Sequence, residues 1–185
     1  MIYTPKQRIF RRVGQHHLLI LPKLASTSLK TLGDDIWEHH LTETEHLPII
    51  SFVRKPFERW VSGYIQYLVD IARYADGVFE FRPPPYVRCD IHTTPQYFQI
   101  RTCDYLLRFE DLNEYSKRAS IYIPHCHKTS THLGDPRAKA KKLLLRWLQE
   151  NESFSKQLRL ELQNDYLLRE RCVPVQSLPK ELFTL

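Results

Sequence analysis

"LPIISFVRKPFERWVSGYIQYLVDIARYA", residues 47–75, joins a short apolar run directly to a long amphipathic segment. The run LPIISFV at 47–53 has the length and β-branched content of a buried strand. Pro56 is a typical first residue of a helix, and the apolar residues that follow recur with helical spacing. The stretch therefore predicts a strand followed at once by a helix. The helical stripe consists of Phe57, Trp60, Val61, Tyr64, Leu68 and Ile71.

The same order of strand and helix is predicted on both sides of this stretch. HHLLIL at 16–21 reads as a buried strand, and STSLKTLGDDIWEHHL at 26–41 follows as a helix with apolar residues at helical spacing. DYLLRF at 104–109 predicts a third strand, and EDLNEYSKRA at 110–119 predicts a short helix. Two further helices are predicted at 136–151 and 153–170. The apolar positions of the 26–41 segment are Leu29, Leu32, Ile36 and Trp37.

Repetition of this unit predicts an α/β fold, in which a parallel sheet of about four or five strands is flanked by helices. A chain of 185 residues has the usual length of one domain, so we expect residues 1–185 to form a single domain. No apolar run approaches the roughly 18 residues of a membrane span. The basic start of the chain lacks the apolar core of a signal peptide, so a cytoplasmic protein is expected.

Charge and cysteine spacing narrow the function classes further. The formal net charge of +6 favours an anionic partner, which could be nucleic acid, an anionic membrane or a small polyanion. The four cysteines contain no CxxC pair, and the nine histidines show no recognised ligand spacing, so we expect no metal site. The segment 76–95 carries four prolines and predicts an irregular surface loop.

Two polar turns, at 22–28 and 54–62, follow the first two predicted strands. Helix N-termini offer unpaired amides and a positive dipole end, and both features favour anions. In an open parallel sheet, ligands bind at the carboxyl ends of the strands, so both turns can face one ligand. The residues concerned are Lys23, Ser26, Thr27 and Ser28 in the first turn, and Arg54 and Ser62 in the second.

These motifs resemble those of the sulfotransferases that use 3′-phosphoadenosine 5′-phosphosulfate (PAPS). PKLASTSL resembles their 5′-phosphosulfate loop, and FVRKPFERWVSGY at 52–64 resembles their 3′-phosphate segment, in which an Arg ends a strand and a Ser follows eight positions later. The segment RKPFERWVSGY at 54–64 looks most like the carbohydrate sulfotransferase branch. DYLLRFEDL at 104–112 resembles a strand and turn of that branch. The resemblance implies a P-loop-kinase-like sulfotransferase fold, PAPS as co-substrate, a saccharide acceptor and no metal.

The resemblance also assigns residues to the two ends of the donor. Lys23 is the expected catalytic cation on the leaving group, and the loop around it would hold the 5′-phosphate. Arg54 and Ser62 would bind the 3′-phosphate. Glu58 and Arg59, which lie between these residues in the sequence, are interpreted as a surface ion pair. The polar loop HCHKTSTH at 125–132 would add a basic and a hydroxyl group to the same site. The remaining donor-binding residues are Ala25, Ser26, Thr27, Ser28, Lys128 and Ser130.

The general base is assigned from CDIHTTPQ at 89–96, which resembles the Asp-x-His-x-x-Pro-Gln stretch of the carbohydrate branch. His92 is the first candidate because imidazole titrates near neutrality, and Asp90 would orient it or bind the acceptor. Gln96 and Tyr97 are expected to contact the acceptor, Tyr97 by stacking on a sugar ring. The alternative bases are His16, His17, Glu58 and Glu110.

Two other functions remain open on the sequence. A small P-loop kinase would share the fold, but LPKLASTSL lacks the glycines and the Gly-Lys-Ser/Thr ending with which a Walker loop wraps phosphates. A non-catalytic protein that binds nucleic acid in a basic cleft has only the charge of +6 in its favour. We therefore expect a sulfotransferase that does not bind nucleic acid.

Overall fold

A computed structural model of the chain describes residues 9–21, 29, 32, 36–37, 47–74, 78–100, 103–123 and 135–184. Its described strands form one sheet of five in the order β3-β1-β2-β4-β5. They are β1 (Ile9–Val13), β2 (His16–Ile20), β3 (Ile36–Trp37), β4 (Ile49–Val53) and β5 (Tyr105–Arg108).

The sheet is mixed, whereas the sequence predicts a parallel one. β2 pairs with β4 and β4 pairs with β5 in parallel, as expected, but β1 runs antiparallel to both β2 and β3. The physical reason is the turn between β1 and β2, where only Gly14 and Gln15 separate the paired residues Val13 and His16. Gly14 adopts a φ of +54°, which glycine tolerates and which a two-residue hairpin turn requires.

The predicted helix over 26–41 is wrong in its second half, where Ile36 and Trp37 form the short edge strand β3. Their partners on β1 are Phe10 and Ile9, respectively. Pairing with the free edge of β1 therefore overrides the helical spacing of the apolar residues. Leu29 is helical and Leu32 lies in a 3₁₀ turn, while the other residues of the stretch lie outside the described residues.

Four described α-helices agree with the remaining predicted helices. They are α1 (Pro56–Tyr74), α2 (Leu112–Arg118), α3 (Pro136–Glu150) and α4 (Glu152–Glu170). α3 begins where the sequence expects it, because Pro136 occupies the first turn and the Asp135 carboxylate accepts the Arg137 amide at 2.8 Å. Short 3₁₀ turns cover Gln96–Phe98, Phe109–Asp111, Val175–Ser177 and Lys180–Phe183.

The core has three parts. On one face of the sheet, Phe52 and Leu107 pack with Tyr115 of α2 and with Leu182 near the end of the chain. The other face buries Phe10, Leu19, Val53, Ile100 and Leu168. The helical layer of α1, α3 and α4 buries Trp60, Tyr64, Leu144, Leu158 and Leu162. No described helix combines the length and the apolar character that a bilayer crossing requires.

Candidate functional site

Arg54 directly follows the last residue of β4, and α1 begins two residues later. Its side chain is half-buried, with the guanidinium carbon 5.6 Å from the centre of the Phe109 ring. Burial lowers the pKa of Arg54 from its usual value, and the nearby carboxylates of Glu58 and Glu110 oppose that shift. An arginine remains protonated at neutral pH despite such a shift, so a cation lies at the carboxyl end of a parallel strand.

The Gln96 side chain binds both the N–H and the C=O of the Arg54 backbone. The backbone N–H of Arg54 donates to the Gln96 Oε1 at 3.0 Å, and the Gln96 Nε2 donates to the Arg54 carbonyl at 3.0 Å. Gln96 is fully buried, so these bonds occupy its amide in a structural contact. The sequence predicts Gln96 as an acceptor-binding residue, and the structure instead places its side chain on the backbone at the end of β4.

His92 and Asp90 form a hydrogen-bonded pair in the loop that precedes Gln96. The His92 Nδ1 lies 2.7 Å from the Asp90 Oδ2, and both side chains are about a quarter exposed, at 26% and 24%. Because an ionised carboxylate only accepts hydrogen bonds, Nδ1 carries the proton in the neutral imidazole and Nε2 keeps its lone pair. This is the arrangement in which a histidine can accept a proton from a hydroxyl group.

The loop that carries His92 is held by its own side chains and by α1. The second Asp90 oxygen, Oδ1, accepts the backbone N–H groups of His92 at 2.9 Å and Thr93 at 3.1 Å. Gly63 of α1 lies so close to the loop that a Cβ there would stand 2.1 Å from the His92 carbonyl oxygen. The short Asp-x-His spacing and the absence of a side chain at Gly63 therefore position His92 together.

Asp70 of α1 also approaches this pair. Its Oδ2 lies 3.9 Å from the His92 Nδ1, and Gln66 donates to its Oδ1 at 2.8 Å. Each of Asp70, Asp90 and His92 could offer a ligand atom to a cation, since these atoms lie within 4.8 Å of one another. The sequence does not predict this set, because Asp70 lies 20 residues from Asp90. A cation bound there would have to replace the proton that His92 shares with Asp90.

Sequence reasoning missed two buried charges beneath the site, Arg59 and Asp165. The sequence predicts Arg59 as a surface partner of Glu58, but Arg59 is only 1% exposed. Glu58 instead lies 3.5 Å from Lys55. Burial lowers the pKa of Arg59 to about 10, and the attraction of Asp165 opposes that shift. One signal was present in the sequence, since Arg59 lies four residues before Gly63 and therefore on the same helix face.

The alternative bases form two pairs, one buried and one exposed. His16 and His17 are buried in β2, and His16 bonds the Leu182 carbonyl through Nδ1 at 2.8 Å and the Tyr115 hydroxyl through Nε2 at 2.5 Å. Both are therefore wrong as candidates, because an acceptor hydroxyl cannot reach a fully buried ring. Glu58 and Glu110 are exposed, and Glu110 pairs with Arg169 at 3.0 Å.

The other predicted site residues fall into two groups. Ser62 is half-buried on α1, and the Tyr97 side chain is 47% exposed with its ring edge-on to Phe98 at 5.7 Å between centroids. Residues 22–28 of the predicted phosphosulfate loop and the polar loop at 125–132 lie outside the described residues. The predicted pocket around Lys23 therefore stays a prediction. The residues concerned are Lys23, Ala25, Ser26, Thr27, Ser28, Lys128 and Ser130.

Comparison with known proteins adds no family to this description. No family model, no curated protein and no solved structure matches the chain. The residues of the site and their chemistry therefore carry the functional argument that follows.

Proposed function

We propose that the protein is a sulfotransferase that transfers the sulfuryl group of PAPS to a hydroxyl group of a saccharide. The observation that carries the proposal is the pair of hydrogen bonds between the Gln96 side chain and the Arg54 backbone. It joins the strand end that bears the expected 3′-phosphate cation to the loop that bears the His92–Asp90 pair. A cation for the donor and a base for the acceptor on linked segments are what a two-substrate group transfer needs.

In the proposed reaction, the acceptor oxygen forms a bond to sulfur while the bond from sulfur to the bridging phosphate oxygen breaks. His92 takes the acceptor proton on Nε2, and the Asp90 carboxylate stabilises the resulting imidazolium through Nδ1. Lys23 would meet the negative charge that grows on the leaving oxygen, by analogy with phosphoryl transfer. The products are the sulfated acceptor and 3′-phosphoadenosine 5′-phosphate.

Ligand-dependent thermal stability separates this function from its alternatives. A ligand that binds only the folded protein raises the unfolding temperature, so adenosine 3′,5′-bisphosphate should stabilise the chain and ATP with magnesium should not. The reverse pattern would favour a small kinase. Binding to oligonucleotides that weakens steeply with salt, without an effect of the bisphosphate, would favour a nucleic-acid-binding protein.

Three substitutions test the residue roles in a sulfuryl-transfer assay with labelled PAPS and a panel of saccharides. Lys23→Ala should lower kcat by several orders of magnitude, because it removes charge stabilisation that develops in the transition state. Arg54→Ala should mainly raise the KM for PAPS. His92→Gln should lower kcat by about 10²–10⁴-fold, which is the usual contribution of a general base.

Lys55→Ala is the matched control for Arg54→Ala. Lys55 is the next residue, its side chain is 55% exposed, and its described ion pair is a surface contact with Glu58. We expect its kinetics to match those of the unmodified protein. Unchanged kinetics in Lys23→Ala, Arg54→Ala and His92→Gln together would refute the site.

A further inference from the structure

Asp165 of α4 is a buried carboxylate that binds the backbone of a distant segment. Its side chain is 0% exposed, its Oδ2 accepts the Gln96 N–H at 2.8 Å, and its Oδ1 accepts the Tyr97 N–H at 2.7 Å. These N–H groups open the 3₁₀ turn Gln96–Phe98, which Pro95 precedes without a side-chain cap. Asp165 therefore supplies the cap from 68 and 69 residues away in the chain.

The arrangement compensates for the burial of the charge. Burial raises the pKa of Asp165, and the N–H groups of Tyr97 and Gln96 and the Arg59 guanidinium oppose that shift. A buried ion is strongly unfavourable unless hydrogen bonds and an opposite charge surround it. Asp165 has the hydrogen bonds and the attraction of Arg59, which together offset part of the cost of its burial.

The contacts continue from Asp165 to the strand end. The Gln96 backbone is held by Asp165, and the Gln96 side chain makes both hydrogen bonds to the Arg54 peptide. In parallel, the Arg59 Nη1 donates to the Thr94 carbonyl at 2.7 Å, two residues after His92. A displacement of the backbone at Gln96 would therefore be transmitted to Arg54.

We propose that Asp165 is a positioning residue for Arg54: by holding the backbone at Gln96 and Tyr97, it directs the Gln96 amide onto the Arg54 peptide and so orients the Arg54 guanidinium toward the donor's 3′-phosphate. The inference rests on the proposed function for the identity of the ligand. A role in stability alone would lower the unfolding temperature and speed amide exchange throughout the fold, without changing nucleotide affinity and without an effect confined to Arg54, Gln96 and Tyr97.

The test substitution is Asp165→Asn, which keeps the shape but leaves one oxygen to accept two N–H groups and removes the charge that faces Arg59. The dissociation constant for adenosine 3′,5′-bisphosphate should rise about tenfold, the equivalent of one hydrogen bond. Amide hydrogen exchange at Arg54, Gln96 and Tyr97 should become faster. Asn164→Ala, at the exposed neighbouring position of α4, should change neither readout.

A second variant, Gln96→Met, keeps the size of the side chain and removes both bonds to the Arg54 peptide. It should weaken nucleotide binding by a similar factor, and the double variant should lose little more than either single one, because both residues act through one chain of contacts. It also keeps the proposal open to refutation if Asp165→Asn does not fold. Unchanged nucleotide affinity in Gln96→Met would overturn the proposal.

The outcomes for the two proposals are distinguishable. If the unmodified protein does not bind adenosine 3′,5′-bisphosphate, the proposed function fails, and amide exchange alone decides the link between Asp165 and Arg54. Exchange that speeds up more at Arg54 than in the rest of β4 in Asp165→Asn would then support the link. Unchanged exchange, or exchange that speeds up equally throughout the fold, would overturn it. If the unmodified protein binds the nucleotide but Asp165→Asn alters only its unfolding temperature, Asp165 is structural and the positioning role is wrong.

Discussion

Histidine residues occupy two contrasting environments in this protein. His92 is partly exposed, and Asp90 binds its Nδ1 while leaving Nε2 free for chemistry. His16 is fully buried, with the Leu182 carbonyl on Nδ1 and the Tyr115 hydroxyl on Nε2. Nδ1 must donate to the carbonyl, and because burial lowers the pKa of His16 and favours the neutral ring, Nε2 accepts from the hydroxyl. One side chain is therefore suited to proton transfer and the other to holding the core together.

His16 predicts a pH dependence of stability. Burial lowers the pKa of His16 below its usual value of 6.5, so the unfolded chain binds more protons than the folded one just below that pH. The contribution of His16 to the free energy of unfolding is therefore full above about pH 6.5. It should fall as the pH decreases, by at most about 1.4 kcal/mol per pH unit for one proton. Urea unfolding at pH 5, 6 and 7 measures the effect.

The control for this prediction is His16→Gln, whose amide can donate to Leu182 and accept from Tyr115 but does not titrate. Carboxylates contribute to acid unfolding in both proteins, so the difference between the two pH profiles isolates His16. Parallel profiles would show that His16 does not titrate differently in the folded and unfolded states.

α1 serves both the core and the site because its faces contact different parts of the protein. Trp60, Tyr64 and Leu68 enter the helical layer, where the Trp60 Nε1 donates to the Val87 carbonyl at 2.7 Å. Arg59 and Gly63 lie on another face, against the loop that carries His92. The close approach of α1 at Gly63 therefore fixes the position of the predicted base, His92.

Gly63→Ala should destabilise the protein, although alanine is ordinarily favoured over glycine in a helix by about 0.5–1 kcal/mol. The added Cβ would lie 2.1 Å from the His92 carbonyl oxygen and 2.6 Å from its carbonyl carbon, and backbone must move to admit it. We expect a loss of about 1–3 kcal/mol in the free energy of unfolding, measured with urea.

Ser62→Ala provides the comparison for Gly63→Ala, because the neighbouring position is half-buried and already carries a Cβ. Its free energy of unfolding should change by no more than about 0.5 kcal/mol. A stabilised Gly63→Ala protein would mean that the loop around His92 does not pack on α1 as described.

The sheet and the helical layer are joined by α4. Leu158 and Leu162 belong to the helical layer, whereas Leu168 packs on a sheet face with Val53. Asp165 lies between Leu162 and Leu168 on the helix and binds the Gln96 backbone. One helix therefore crosses from one part of the core to the other. We expect the described parts of the protein to unfold as one cooperative unit.

Leu162→Ala tests this cooperativity. Leu162 is 2% exposed, and its truncation should lower the free energy of unfolding by about 2–5 kcal/mol. Tryptophan fluorescence and amide exchange in β4 and β5 should report the same loss, since the helical layer and the sheet unfold together. Leu160→Ala, 64% exposed on the same helix, should cost about 0.5 kcal/mol or less. Loss of fluorescence without loss of protection in the sheet would show two independent units.

Sequence periodicity located most of the secondary structure around the site but not the topology of the sheet. The strand at 47–53 and the helix after it were predicted because their apolar residues follow the repeats of a strand and a helix. β1 and its antiparallel pairing were not predicted, because its two arginines interrupt the apolar pattern. Arg11 is nevertheless 3% exposed, and only packing in the complete sheet determines that burial.

The sequence alone determined that a cation follows β4 and that Asp90 and His92 lie close together, because these relations depend on neighbours in the chain. Tertiary structure decided what surrounds them. Gln96 forms hydrogen bonds with Arg54, 42 residues away in the chain, and Asp165 of α4 accepts the Gln96 N–H. Both contacts depend on how distant segments pack. A polar residue that contacts a ligand and one that satisfies buried backbone look alike in a sequence, and only their burial in the fold separates the two roles.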